Sequence, residues 1–141
     1  MNCFASVFVI VAALVAVSQA NVNDPKLKSI LEQCIGSEKA SPADIAALEA
    51  RSSDLSKEAK CVISCVMKNY KLLSDDGKVN RDVFMTEAEE MTKGDAGAMK
   101  EAGEMFEICS AKTVADPCES AFNFGHCMKT EMTARNIPMD F

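Results

Sequence analysis

The sequence contains no tryptophan, one tyrosine and one histidine among its 141 residues. It holds no Asn-x-Ser/Thr triplet, so N-glycosylation is not expected. Basic residues are in deficit, with 15 Lys and Arg against 21 Asp and Glu, for a net charge of −6. An acidic chain does not seek phosphate backbones, which excludes nucleic acid as the natural partner; the charge favours solubility. No strand-like alternation stands out, and no repeat or low-complexity stretch interrupts the chain.

The first twenty residues, MNCFASVFVIVAALVAVSQA, lack Asp, Glu, Lys and Arg altogether. Their apolar run from Phe4 to Val17 is short for a membrane span, which needs about 20 residues. No stop-transfer flank follows, and Ser18-Gln19-Ala20 offers the small residues of a cleavage site. Residues 1–20 are therefore expected to be a secretory signal peptide and residues 21–141 a single soluble, secreted helical domain. No second long apolar run occurs after Val17.

What is present is a series of helix signals. Asp24-Pro25 opens a segment whose apolar face is Leu27, Ile30, Leu31, Cys34 and Ile35, with Gly36 as the expected stop. Ser41 caps a short second helix and Ser56 a third, read from SKEAKCVISCVMKNYKLL. SDDGKVN is a turn, since Gly77 tolerates a positive φ. Asn80 caps a fourth helix with Phe84, Ala88 and Met91 along one side, and Gly94 ends it. In the fifth, Ala98, Ala102, Met105 and Cys109 fall on neighbouring positions, beside Phe106. Asp116-Pro117 starts a sixth, where Ala121, Phe124 and Met128 share a face and Phe122 points elsewhere, towards core. The expectation is an all-α fold, a compact bundle of about six helices.

Seven cysteines occur, and Cys3 leaves with the signal peptide. The remaining Cys34, Cys61, Cys65, Cys109, Cys118 and Cys127 are an even set in a small secreted chain, which implies three disulfides, with 15 pairings open. Zinc would call for two close Cys-x2-4-Cys pairs, and only Cys61 and Cys65 are close, so no metal or other cofactor is expected. A redox pair would be Cys-x-x-Cys at a helix start. Cys61 and Cys65 at i and i+4 stand about 5–6 Å apart at Cβ, too far for an undistorted bridge to each other. Each sulfur then reaches a different helix.

The spacing Cys34-x26-Cys61-x3-Cys65-x43-Cys109-x8-Cys118-x8-Cys127 resembles the six-cysteine signature of the insect odorant-binding proteins, the group that includes pheromone-binding proteins. The x3 and x8 intervals are its specific part, and the DDGKV turn belongs to it too. The resemblance implies the pairs Cys34–Cys65, Cys61–Cys118 and Cys109–Cys127, interlocked around a central hydrophobic cavity. It implies a non-enzymatic carrier that takes odorants or pheromones through sensillar lymph or another body fluid to a membrane odorant receptor, as a monomer or weak homodimer. Pocket lining would then be Phe84, Ala88, Met91, Ala98, Ala102, Met105, Phe106, Ala121, Phe124 and Met128. The tail after Cys127 would fold back as part of the wall, with Ile137, Met139 and Phe141 inserted.

Energetics fit such a reading. An empty apolar cavity of about 300 Å³ costs on the order of 7 kcal/mol, which three disulfides at about 2–4 kcal/mol each offset. Eight of the nine methionines follow residue 20, and methionine adapts to several ligand shapes. Two other functions are distinguishable. A general lipid or semiochemical carrier outside olfaction keeps the pocket, whereas a helical interaction protein fills its core and binds no apolar probe. A hydrolase of the phospholipase A2 kind would need an Asp beside its histidine and a glycine-rich calcium loop, and His126 is followed by Cys127.

Overall fold

The computed structural model describes residues 25–137. The expected signal peptide, the Asp24 cap and the tail residues Met139 and Phe141 lie outside these described residues. Six helices follow one another: α1 (Pro25–Ser37), α2 (Pro42–Glu49), α3 (Lys57–Asn69), α4 (Arg81–Thr92), α5 (Ala96–Ser110) and α6 (Pro117–Ala134). Among the described residues no strand forms; one isolated antiparallel bridge, Leu73 to Val79, closes the turn around Gly77.

Five of the helices start on a side-chain cap. Ser41 and Asp44 exchange hydrogen bonds in a complete capping box, with Asp44 N–H donating to Ser41 Oγ at 3.1 Å and Ser41 N–H to Asp44 Oδ2 at 2.8 Å. Ser56, Asn80, Asp95 and Asp116 accept from the first-turn amides of α3, α4, α5 and α6. Each cap satisfies a backbone N–H that the helix itself leaves unpaired.

The helix ends differ from the sequence expectation. Gly36 lies inside α1, and the chain turns at Lys39, which takes φ 56°. Arg51, Lys71, Lys93 and Asn136 also adopt the left-handed conformation near the ends of α2, α3, α4 and α6. In all five cases the next amide donates back five residues: Ala40 to Ile35, Ser52 to Ala47, Leu72 to Met67, Gly94 to Glu89 and Ile137 to Met132. This also shortens the third helix. It ends at Asn69, and Leu72 and Leu73 enter the core from the turn beyond it.

α3 is the central element. It buries Ala59, Cys61, Val62, Ile63, Ser64, Val66 and Met67, positions all round its circumference, as expected of a helix packed on several sides. It packs on α1, α2 and α6; α6 in turn packs on α5, and α5 on α4. Among these helices α4 brings its Cα atoms within 8 Å of α5 alone. It therefore stands off from α3 and α6, and side chains fill the intervening space.

Candidate functional site

The interior between α4, α5 and α6 is built on three rings. Phe84 of α4 meets Phe106 of α5 with centroids 5.1 Å apart and a tilt of 43°. Phe124 of α6 lies edge-on to both, 6.0 Å from Phe84 and 5.9 Å from Phe106. Such tilted and T-shaped arrangements set the positive ring edge against the negative face. The helix period explains the meeting: Phe84 precedes Ala88 by four residues on α4, and Ala121 precedes Phe124 by three on α6, so a small residue one turn away leaves room for each ring.

Ala88, Ala102, Met105, Ala121 and Met128 are buried with the three rings in one continuous core. Met91 and Ala98 are half-buried. Ile137, just past α6, is half-buried and packs against the core. The expected set omits the contribution of α1 to α3 and of the turn after α3: Leu31, Leu48, Ile63, Met67 and Leu72 are among the largest fully buried side chains. It also omits Met132, which repeats the Met128 position one turn on, and Met99, which packs on the core one residue beyond Ala98. The four-residue step from Met128 was the available signal for Met132.

Phe122, read as core rather than pocket, packs against the core from its edge. It is half-buried, with the His126 ring stacked on it at 5.8 Å and 17°, and Lys60 Nζ 4.7 Å from its centroid. His126 itself is exposed. Lys60 Nζ also donates to both carboxylate oxygens of Glu119, at 2.9 and 3.1 Å, linking α3 to α6.

Three disulfides frame this interior. Cys34 joins Cys65, with Cα atoms 5.7 Å apart; Cys61 joins Cys118 at 4.5 Å; Cys109 joins Cys127 at 5.4 Å. Cys61 and Cys65, one turn apart on α3, thus tie that helix to α6 and α1 respectively. The third bridge ties α5 to α6 beside Phe106 and Phe124. Tyr70, at the end of α3, is half-buried with Lys26 Nζ 5.5 Å from its ring centre.

The chemistry available inside is dispersion and aromatic contact. Among the described residues the buried polar side chains are Ser64 and Ser120, and Ser120 is hydrogen-bonded to backbone. No group of three or more His, Cys, Asp or Glu side chains is placed to hold a metal ion, and no helix is long and apolar enough to cross a membrane, among the described residues.

Comparison with known proteins places this architecture. A profile of the PBP/GOBP family matches residues 18–131. General odorant-binding protein 28a of Drosophila melanogaster is 31% identical over 121 residues, covering 85% of each chain. The solved structure of odorant-binding protein OBP28a from the same organism superposes with a TM-score of 0.66 at 30% identity, over 80% of this chain and 94% of that one. The same fold recurs in the fatty acid binding protein OBP56a from the oral disk of the blowfly Phormia regina, with a TM-score of 0.65 at 18% identity, over 84% of this chain and 98% of that one. A pheromone binding protein from the cockroach Leucophaea maderae, in complex with the fluorescent reporter ANS, gives a TM-score of 0.56 at 21% identity over 74% and 90%. With a family profile across most of the chain and a relative above 30% identity, this chain belongs to the PBP/GOBP family of insect odorant-binding proteins, a non-enzymatic small-ligand carrier.

Proposed function

We propose that the chain carries a small hydrophobic molecule, an odorant, pheromone or lipid, through aqueous fluid to a membrane receptor. The ligand lies where α4 stands off from α3 and α6, against Phe84, Phe106 and Phe124. That stand-off is the observation that carries the reading: Phe84 and Phe124 meet edge-on across α4 and α6, whose backbones keep apart, so this ring contact can open without breaking a seam between those two helices. Met105, Met128 and Met132 surround the rings with flexible side chains that refit to different shapes. Ala88, Ala102 and Ala121 keep the helix surfaces low beneath the ligand. Met91 and Ala98 lie at its margin.

Ile137 packs on the core just past α6, which supports the reading of the tail, Met139 and Phe141 included, as part of the pocket wall. Residues 1–20 direct secretion and are removed. The blowfly protein is described as fatty acid binding and the cockroach protein as a complex with ANS, which supports an apolar occupant for this chain.

The test is binding of N-phenylnaphthylamine followed by fluorescence, with displacement by long-chain alcohols, esters and fatty acids. Saturable enhancement that these ligands reverse supports the carrier. No enhancement, with a folded far-UV spectrum, rejects it in favour of a filled-core interaction protein.

A further inference from the structure

The outer face of the α5–α6 junction carries a concavity separate from the interior. Lys112, Asn123, His126, Cys127 and Thr130 line an open depression of about 520 Å³, within the range of small-ligand pockets. None of the rings of Phe84, Phe106 and Phe124 belongs to its lining. Its walls are held in shape. Cys127 is bonded to the buried Cys109. Asn123 Nδ2 donates to the carbonyl of Lys112 at 3.3 Å, Thr130 Oγ1 donates to the carbonyl of His126 at 2.9 Å, and the His126 ring is stacked on Phe122.

Its charge is opposite to that of the chain. The net charge is −6, yet no carboxylate lines the depression. The carboxylates nearest to it along α5 and α6 are engaged elsewhere: Glu107 with Arg81 at 3.1 Å, Glu119 with Lys60 at 2.9 Å and Glu131 with Arg135 at 3.4 Å. Asp116, in the loop before α6, accepts from the amides of Cys118 and Glu119. Among the described residues Lys112 Nζ joins no ion pair, and His126 is exposed. The depression therefore offers an uncompensated ammonium and an imidazole. Apolar surface adjoins the ammonium. The exposed large hydrophobics among the described residues are Ile108 and Val114, at 41% and 46%. They stand four residues before and two after Lys112. One exposed apolar side chain needs no explanation, but two that bracket the lysine of a concave recess make its surroundings amphiphilic.

We propose that this depression is an external binding site for a single amphiphilic anion, of the class of medium-chain carboxylates and alkyl sulfate or phosphate esters. The headgroup pairs with Lys112 and accepts a hydrogen bond from the His126 ring. The alkyl chain covers the Cys127 wall and the apolar surface beside Lys112. A concave recess admits one molecule and not a flat bilayer, so the occupant is a dissolved amphiphile. The site does not rest on the carrier reading, because a filled interior leaves the outer face as it is. With both sites in place the chain holds two kinds of ligand at once, an apolar one inside and an anionic one outside.

The experiment titrates octyl sulfate, well below its micellar concentration, into the isotope-labelled, disulfide-bonded protein and follows the amide resonances. The expected result is saturable shifts centred on Lys112, Asn123, His126 and Thr130, unchanged when N-phenylnaphthylamine is added first. Shifts centred on Phe106, Phe124 and Met128, or shifts that do not saturate, overturn the proposal. Probe fluorescence reports the interior and these shifts the outer face, so the two readings fail separately. Lys112→Glu, a surface change, is expected to weaken octyl sulfate about fivefold at low salt and to leave the affinity for N-phenylnaphthylamine unchanged. Undiminished octyl sulfate binding in that variant, or equal shifts from uncharged octanol, overturns the anionic class. Phosphatidylglycerol vesicles are expected not to sediment the protein; sedimentation that Lys112→Glu abolishes overturns the dissolved occupant in favour of a membrane surface.

Discussion

Ser120 Oγ donates a hydrogen bond to the main-chain carbonyl of Gly77, joining residues 43 apart in sequence. The same hydroxyl oxygen accepts from Val114 N–H at 3.3 Å. The turn between α3 and α4 is thereby fastened to the loop before α6. Gly77 has φ +80°, and a Cβ built there would sit 2.1 Å from the carbonyl oxygen of Val114. Replacing Gly77 by Ala is expected to cost at least about 2 kcal/mol, because the strained φ and the backbone collision act together. Ser120→Ala is expected to cost about 1–3 kcal/mol, since it strands buried backbone groups. Urea unfolding midpoints of both variants check this.

The three-ring cluster makes a separable prediction about stability and binding. Phe124→Ala is expected to destabilise by about 3–5 kcal/mol through the space it leaves. Phe124→Leu keeps most of the volume, so the fold survives while probe affinity changes. Thermal unfolding and probe titration of the two variants read the two effects apart.

Bridges closing longer loops constrain the unfolded chain more. Removing Cys61–Cys118 as a double serine variant is expected to cost about 1 kcal/mol more than removing Cys109–Cys127, from loops of 57 and 18 residues. Denaturant midpoints of the two double variants measure the difference.

Two carboxylates give opposite pH dependences. Hydrogen bonds from the Ser56 hydroxyl, then from the Ser41 amide and hydroxyl, hold the Asp44 carboxyl below its ordinary range. The folded state therefore favours the ionised form. The contribution is complete above the unfolded value of about 3.9 and is lost as pH falls through the lower folded value. Asp44→Asn is expected to flatten the fall in melting temperature below about pH 4. Burial, reinforced by Glu90 and opposed by Lys26, raises Glu87. Ionising it works against the fold, so Glu87→Gln is expected to melt higher at neutral pH and to lose that advantage in acid. Melting curves across the range test both signs.

Deleting residues 137–141 is expected to weaken probe binding while leaving the helical spectrum intact, because Ile137 packs on the core after α6 has ended. Unchanged affinity would remove the tail from the pocket wall.

Helix starts were legible because their signals are local. Ser41, Ser56, Asn80 and Asp116 each act through their own side chain on an amide two or three residues away. Helix ends were less so. Reading them relies on glycine for the left-handed turn, but Lys39, Arg51 and Lys71 occupy it here, and tertiary packing of the residues beyond, such as Leu72, covers the conformational cost. The same distinction applies to the candidate site. Periodicity placed Phe84, Ala102, Phe124 and Met128 on inward faces, yet could not say that α4 would stand off from α3, because inter-helix distance is set by side chains from several segments at once. Phe122 meets the same limit: periodicity turned it away from the pocket, but its half-burial depends on Lys60 and His126, one of them on another helix.

The disulfides overlap along the chain, 34 to 65, 61 to 118 and 109 to 127. Every peptide bond between Cys34 and Cys127 is therefore spanned by at least one bridge. A protease that nicks any single loop in that interval releases no fragment, and the cut molecule runs as one chain until it is reduced. The stretch between Cys118 and Cys127 is spanned by the Cys109–Cys127 bridge alone. Digestion resistance of the whole carrier thus depends there on one pair of sulfurs.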